Sequence, residues 1–450
     1  MKALFGTDGI RGEAGKFPLD RDTVKRIGFS LASYLNKSAE KSAVIVVGRD
    51  TRESGSWLEE SLIEGANNAG AECHSAGIIT TPGVAYLTGQ LKANAGVVIS
   101  ASHNPYHDNG IKIFSPSGEK IADEVERLIE ADILGGNELQ DSTIKSADVP
   151  AAPDHLQLCY LDFLANRIGH DLSLDRLKIV VDCANGASYR LAPALFERLG
   201  ANVVAIHAEP DGRNINLNSG SLHIDGLQQR VVNEDADLGV AFDGDADRSL
   251  FVDHEGRFVD GDATLWVLAG HLQTKNQLKD NTVVATVMSN IGLEIALRGK
   301  GIKLERTDVG DKYVLETLLR LDASLGGEQS GHVIMPALSL AGDGMITTLS
   351  LLRALQESQS SLAETTKGFQ RYPQTLVNVR VKEKVPFIDL AAVTEATNEV
   401  EQRLGQNGRL LLRYSGTEPL ARVMIEGQDQ ADIELYARKI AAALAHEIGV

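Results

Sequence analysis

Short runs of β-branched and other apolar residues alternate along the chain with stretches of helical periodicity. Val44-Ile45-Val46-Val47 runs into Gly48-Arg49-Asp50, Ile179-Val180-Val181 into Asp182-Cys183-Ala184-Asn185-Gly186, and Val283-Val284-Ala285-Thr286-Val287 into Met288-Ser289-Asn290. Continuous apolar runs of this length fit strands buried on both faces. Between them Val24, Ile27, Leu31 and Leu35 recur at helical spacing, as do Trp57, Leu58, Leu62, Ile63 and Ala66. Strands alternating with helices predict an α/β architecture with parallel or mixed sheets.

Each of those strands is followed by a second one that ends in a polar loop. Gly96–Ser100 leads into Ala101-Ser102-His103-Asn104-Pro105, Leu238–Phe242 into Asp243-Gly244-Asp245-Ala246-Asp247-Arg248, and Ala323–Gly326 into Gly327-Glu328-Gln329-Ser330-Gly331-His332. The pattern reads as one α/β plan used three times, each copy offering one loop. Ligand loops of open α/β sheets lie beyond the carboxyl ends of strands, so the three are expected to meet in one cleft. From Gln374 the pattern changes to strict alternation, with Val377, Val379 and Val381 on one side and Asn378 and Arg380 on the other. Strands at Arg409–Tyr414 and Arg422–Glu426 and helices near Asp389–Arg403 and Asp432–Glu447 complete a small α+β domain with an antiparallel sheet. The expected division is 1–150, 151–253, 254–371 and 372–450, with boundaries near Pro150-Ala151-Ala152-Pro153, Val252–Gly256 and Tyr372-Pro373.

Composition narrows the class. Hydrophobic residues make up 43% and charged residues 24% of 450, an ordinary globular mix. No apolar run approaches the ~20 residues a bilayer requires, and the first eight residues turn polar too soon for a signal peptide. With 44 Lys and Arg against 62 Asp and Glu, the net charge is −18. Such a chain has no global attraction for nucleic acid or anionic lipid, so an anionic substrate needs a local basic cluster. Three cysteines with no CxxC pair make a poor disulfide framework, and a reducing cytoplasm is the expected location.

Asp243, Asp245 and Asp247 carry the sharpest chemistry. On an extended segment, carboxylates at i, i+2 and i+4 share one side. Three of them within ~5 Å repel by roughly 3 kcal/mol per pair, which a bound cation relieves. All-oxygen ligands favour Mg²⁺, Mn²⁺ or Ca²⁺ over zinc. An EF-hand is excluded because Arg248 and His254 stand where Gly and Glu belong. Ser102 is the second candidate, as a nucleophile or a phosphate carrier. The nucleophile-elbow spacing is absent, and His103 is not expected to act as its base, since adjacent side chains usually diverge. A phosphoserine brings nearly two negative charges and three acceptor oxygens, which a metal held by three carboxylates can use.

Arg413-Tyr414-Ser415-Gly416-Thr417-Glu418-Pro419, with Arg422 nearby, supplies hydroxyls, free backbone N–H groups and two guanidiniums for a phosphate. A hairpin turn with surface arginines is the plain alternative. Glu328 and Ser330 suit adjacent sugar hydroxyls. Arg11, on the Gly-flanked loop Phe5–Gly12, and Lys112 are candidates for steadying a phosphoryl group. Lys112, His103 and His332 are candidate proton handlers. No Walker A or G-x-G-x-x-G spacing supports a nucleotide site.

Taken in order, FGTDGIRG at the N-terminus, ASHNP at Ala101–Pro105, DGDADR at Asp243–Arg248, GEQSGH at Gly327–His332 and RYSGTEP at Arg413–Pro419 resemble the α-D-phosphohexomutase superfamily over nearly the whole chain. Gln329 and the opening motif resemble the phosphoglucosamine mutase branch more than the phosphomannomutase/phosphoglucomutase branch. The resemblance implies four domains, three α/β and a C-terminal one of the TATA-binding-protein-like type. It implies interconversion of glucosamine 6-phosphate and glucosamine 1-phosphate on the route to UDP-N-acetylglucosamine, through a phosphorylated Ser102 and a 1,6-bisphosphate. Asp243, Asp245, Asp247 and the Ser102 phosphate would hold one Mg²⁺. Glu328 and Ser330 would hold sugar hydroxyls, with Arg248 and His332 beside the substrate. Arg413, Ser415, Gly416, Thr417 and Arg422 would grip the phosphate that is not reacting. Glucosamine or glucose 1,6-bisphosphate is the implied primer, and a homodimer is implied by analogy. The rivals are a Mg²⁺-dependent sugar phosphatase with Asp243 as nucleophile and a phosphosugar sensor without catalysis.

Overall fold

The computed structural model describes residues 4–6, 8–37, 39, 42–135, 153–415 and 418–450. The expected boundary at 150–152 and the candidates Gly416 and Thr417 lie outside the described residues. By its contacts the chain forms two compact units, Met1–Met288 with Glu305–Thr366, and Ser289–Leu304 with Lys367–Val450.

In the first unit, strands β1 (Phe5–Gly6), β2 (Gly9–Glu13), β3 (Val44–Arg49), β4 (Glu72–Ile78), β5 (Ala95–Ile99) and β6 (Asp108–Phe114) form one mixed sheet in the order β1-β2-β6-β5-β3-β4. β3 runs parallel to both β4 and β5, whereas β6 is antiparallel to β5 and β2. The helix Arg21–Asn36 starts where the Asp20 carboxylate caps the Thr23 N–H at 3.0 Å. It buries Val24, Ile27, Leu31 and Leu35, the positions its period marks, in one core with Ile45, Val47, Val97 and Ile99 of the sheet.

The second sheet contains β7 (Lys178–Asp182), β8 (Asn202–Ile206), β9 (Leu238–Phe242), β10 (Ser249–Asp253) and β11 (Phe258–Val259), in the order β11-β10-β9-β7-β8. The third contains β12 (Thr282–Thr286), β13 (Lys303–Thr307), β14 (Gly326–Gly327) and β15 (Val333–Ile334), in the order β13-β12-β14-β15. Two expected strands are shortened. Val287 lies outside β12, and of Ala323–Gly326 only Gly326 is in a strand.

The threefold plan is visible in the topology. Each motif fills the turn between a strand that runs parallel to an inner neighbour and an antiparallel partner. Residues 100–107 join β5 to β6, with Ile99 opposite Ile111. Asp243–Arg248 joins β9 to β10, with Phe242 opposite Ser249. Glu328–His332 joins β14 to β15, with Gly327 opposite Val333.

The second unit has a three-stranded antiparallel sheet, β16 (Gln374–Arg380), β17 (Arg409–Tyr414) and β18 (Leu420–Glu426), in the order β16-β18-β17. Its core sets Val423 and Ile425 against Val393 and Val400 of the helix Ala391–Leu404 and Ile440 and Leu444 of the helix Gln430–Ile448. Asn290 caps the helix Ile291–Gly299 and ties it to this unit, donating to the Tyr372 carbonyl at 3.1 Å, while Ile291 N–H donates to Glu426 at 3.0 Å.

Candidate active site

Three expected loops of the first unit meet. Ser102 Oγ donates to Asp243 Oδ2 at 2.5 Å, Arg248 forms an antiparallel bridge with His332, and His332 Nδ1 lies 3.7 Å from Asp247. A cleft of about 590 Å³ is lined by Arg11, His103, Asp247, Arg248, Glu328 and His332, among others.

The carboxylate trio converges as expected but by a different route. Asp243, Asp245 and Asp247 are buried, and their ligand atoms lie within 4.8 Å of one another. The segment is a tight turn rather than an extended strand. Ala246 N–H donates to the Asp243 carbonyl at 3.1 Å, and Ala246 sits at φ +57°. The turn folds the carboxylates together, where an extended backbone would space them along one side. Gly244 is forced by this packing, because a Cβ there would stand 2.5 Å from the Ser102 carbonyl oxygen and 2.9 Å from Ile215.

The donor set fits a hard divalent cation. Burial, with Asp247 and Asp245 beside it, pushes the Asp243 carboxyl well above the usual range, the mark of anions crowded away from water. Asp245 Oδ1 is buried without a hydrogen-bond partner, whereas its Oδ2 accepts from Thr81 Oγ1 at 2.6 Å and Lys112 at 3.0 Å. Lys112 is fully buried and also reaches Asp247 at 3.4 Å and Asp8 at 3.2 Å. Against its burial, Asp245, Asp8 and Asp247 hold it charged, with its pKa well above the ordinary lysine value.

His332 is likewise raised despite burial, chiefly by Asp247, to about 9. His103 is lowered by burial and then by Arg248 and Arg11. The expectation that His103 diverges from Ser102 is corrected. Its Nδ1 lies 3.4 Å from Ser102 Oγ, because Ser102 occupies the left-handed region at φ +51° and the two side chains converge. A non-glycine residue there costs about 1–3 kcal/mol, a strain typical of functional sites. Arg11 donates to the Ala101 carbonyl at 3.4 Å and pairs with Asp8. Glu328 accepts from the Gly310 N–H at 3.1 Å and from Ser330 at 3.4 Å. Gln329 turns to Asp262 at 3.0 Å.

In the second unit Arg413 and Arg422 face each other as register partners on β17 and β18. Like charges directly opposite on neighbouring strands repel, an arrangement that an anion between them resolves. Ser415 is buried, its hydroxyl accepting from the Glu418 N–H at 3.3 Å and its carbonyl from Lys384 at 2.6 Å.

Asp8, Arg52, Thr81, Asn216 and Lys384 are the participants that the sequence reading missed. Arg52 follows the polar run Gly48-Arg49-Asp50 at the end of β3, beside the carboxyl end of β5, so position in the sheet could have found it. Asn216 and Thr81 contact the site through bonds spanning 114 and 164 residues, and no local pattern announces them.

Models of the phosphoglucomutase/phosphomannomutase family match the chain four times: alpha/beta/alpha domain I at 2–140, domain II at 159–256, domain III at 260–372 and the C-terminal domain at 376–443. The chain is 50% identical to a phosphoglucosamine mutase of Solibacter usitatus, covering 100% of this chain and 99% of that one. It is 45% identical to one of Citrifermentans bemidjiense, again over 100% and 99%. In fold it resembles a phosphoglucomutase/phosphomannomutase family protein of Burkholderia thailandensis, with a TM-score of 0.79 at 24% identity over 100% and 99% of the two chains. It also resembles the Aspergillus fumigatus N-acetylphosphoglucosamine mutase solved with GlcNAc-6P and magnesium, with a TM-score of 0.63 at 18% identity over 98% and 95%.

Proposed function

Because the chain belongs to the phosphoglucomutase/phosphomannomutase family, we propose that it acts as a phosphoglucosamine mutase, an isomerase interconverting glucosamine 6-phosphate and glucosamine 1-phosphate. Full-length identity of 50% and 45% to phosphoglucosamine mutases supports that substrate. The observation that carries the chemistry is Ser102 Oγ at 2.5 Å from Asp243, inside a buried trio of carboxylates.

Ser102 carries the phosphoryl group. Asp243, Asp245 and Asp247, with a Ser102 phosphate, hold one Mg²⁺, which when bound neutralises phosphoryl charge and polarises the phosphorus. A sugar oxygen displaces the Ser102 oxygen in line, giving a 1,6-bisphosphate. After the bisphosphate turns end for end, Ser102 recovers a phosphoryl group from its other end. Little covalent work falls to the protein beyond positioning and charge compensation. Lys112 is committed to three carboxylates and His332 to Asp247. His103, with Nδ1 3.4 Å from Ser102 Oγ, is placed to take and return that hydroxyl's proton. Glu328 and Ser330 take sugar hydroxyls, and Arg248 and Arg11 offset phosphoryl charge in the cleft. Arg413, Ser415 and Arg422 hold the phosphate that does not react, together with Gly416 and Thr417. A hexose 1,6-bisphosphate primes Ser102.

An aspartyl phosphatase would use Asp243 as nucleophile and keep most of its turnover in Ser102→Ala. The Ser102 hydroxyl standing against Asp243 Oδ2, with Arg248 N–H on Oδ1 at 3.2 Å, favours the serine as carrier. Intact-mass analysis before and after glucose 1,6-bisphosphate, followed by coupled rates on glucosamine, glucose and mannose 6-phosphates, tests the reading. One added phosphoryl on the native chain, none on Ser102→Ala, and an isomerisation rate lower by orders of magnitude in that variant are expected. Retained isomerisation by Ser102→Ala refutes it.

A further inference from the structure

Resting on the reading of Ser102 as phosphoryl carrier, we propose that Arg52 and Asn216 are its positioning residues, a two-sided clamp that holds the serine in its left-handed backbone conformation. The donors come from distant parts of the chain and converge on the same pair of carbonyls. Arg52 Nη2 donates to the Ser102 carbonyl at 3.1 Å and to the Asn104 carbonyl at 2.6 Å. Asn216 Nδ2 donates to the same two oxygens at 2.9 and 3.0 Å. Each carbonyl therefore spends both lone pairs on the clamp.

The other side of the Ser102 peptide is tied to the same anchor. Ser102 N–H donates to Ser100 Oγ at 2.9 Å, and Ser100 Oγ donates to Asp50 Oδ2 at 2.5 Å. Asp50 is paired with Arg52, and both side chains are fully buried. The closed path Asp50–Arg52–Ser102–Ser100–Asp50 fixes both ends of one strained residue. The strain has a use, because at φ +51° the Ser102 hydroxyl reaches both Asp243 and His103. A serine that must give a phosphoryl group to one sugar oxygen and recover one from another has to occupy the same place in both half-reactions. In-line transfer tolerates little displacement, and misplacement by ~1 Å costs about a hundredfold in rate.

Asn216 is buried, 9% exposed, and itself sits at φ +58°, so far-ultraviolet circular dichroism of each variant first establishes that it folds. Asn216→Ala removes the donor, and Asn216→Asp keeps the shape but faces two carbonyls with an anion. Arg52→Lys, with its single point charge, is the companion variant. In each, amide hydrogen exchange within residues 100–105 should rise about tenfold. kcat should fall about a hundredfold, with KM for glucosamine 6-phosphate within about threefold. A merely structural residue would not produce that split between kcat and KM. Unchanged exchange in that segment for Asn216→Ala and Asn216→Asp overturns the clamp. Raised exchange with kcat retained, or a loss confined to KM, overturns its positioning role. If the native chain itself takes no phosphoryl group and does not isomerise, the functional reading fails instead, and exchange still decides whether the clamp exists.

Discussion

Ser102 Oγ and Asp243 Oδ2 stand 2.5 Å apart although 141 residues separate them in the chain. Neither loop makes a site alone. Packing of the Asp243–Arg248 turn against the Ser102 carbonyl turns a hydroxyl and three carboxylates into one oxygen cluster.

Gly244 is the contact point of that packing. A Cβ there would stand 2.5 Å from the Ser102 carbonyl oxygen and 3.0 Å from Asn216 Nδ2. Gly244→Ala is expected to cut kcat about a hundredfold while the far-ultraviolet circular dichroism stays native. Steady-state kinetics beside the spectrum checks this.

The trio trades stability for ion binding. Asp243→Asn removes a carboxyl whose ionisation burial and the neighbouring Asp247 and Asp245 oppose. It should raise the melting temperature of protein stripped with EDTA, by the few degrees that about 1 kcal/mol represents. It should also abolish the further rise that millimolar Mg²⁺ gives the native chain, and turnover with it. Thermal melts with EDTA and with Mg²⁺ read both effects, and a lower EDTA melt for the variant contradicts the electrostatic account.

Arg413 and Arg422 oppose each other across β17 and β18. Arg413→Ala and Arg422→Ala should each raise KM for glucosamine 6-phosphate at least about tenfold, the loss of one charged hydrogen bond or more. Phosphate on Ser102 should persist by mass spectrometry, and the melting temperature should hold or rise, because a like-charge pair is gone.

Asp343 caps the helix Gly344–Ser358, accepting from the Met345 and Ile346 N–H groups and from Tyr160 Oη at 2.5 Å. Burial raises its carboxyl to about 6, with the hydrogen bonds from Tyr160, Ile346 and Met345 opposing. The folded state therefore binds this proton more tightly than the unfolded state. Its stabilising contribution is complete below pH ~4 and is lost as pH rises through ~6, a change of about 3 kcal/mol. Asp343→Asn keeps a cap without the charge. Its melting temperature should exceed that of the native chain at pH 8, with the gap closing toward pH 5.

Strand runs and helical periods placed β3, β5, β7, β9 and β12 and both C-terminal helices, because burial on two faces or one stripe leaves a direct mark on residue type. The five motifs were legible for the same reason: Gly, Asp, Ser and Arg crowd together where a loop must bend and bind. What escaped was set by long-range packing. The aspartates meet through a turn with Ala246 at positive φ, which alternation does not foretell. The convergence of His103 on Ser102 follows from one backbone dihedral held by Arg52 and Asn216 from afar. The helix Ile291–Gly299 carries no sign that it belongs with strands more than 70 residues later.

That last allegiance bears on biosynthesis. Asn290 and Ile291 find partners 82 and 135 residues further on, at Tyr372 and Glu426. During synthesis the segment Ser289–Leu304 emerges first and must wait while residues 305–366 are made and folded elsewhere. A peptide cut to begin at Lys367 would lack the helix that its own Glu426 helps to seat, so the C-terminal segment of the enzyme is not a cassette that can be excised or grafted in one piece.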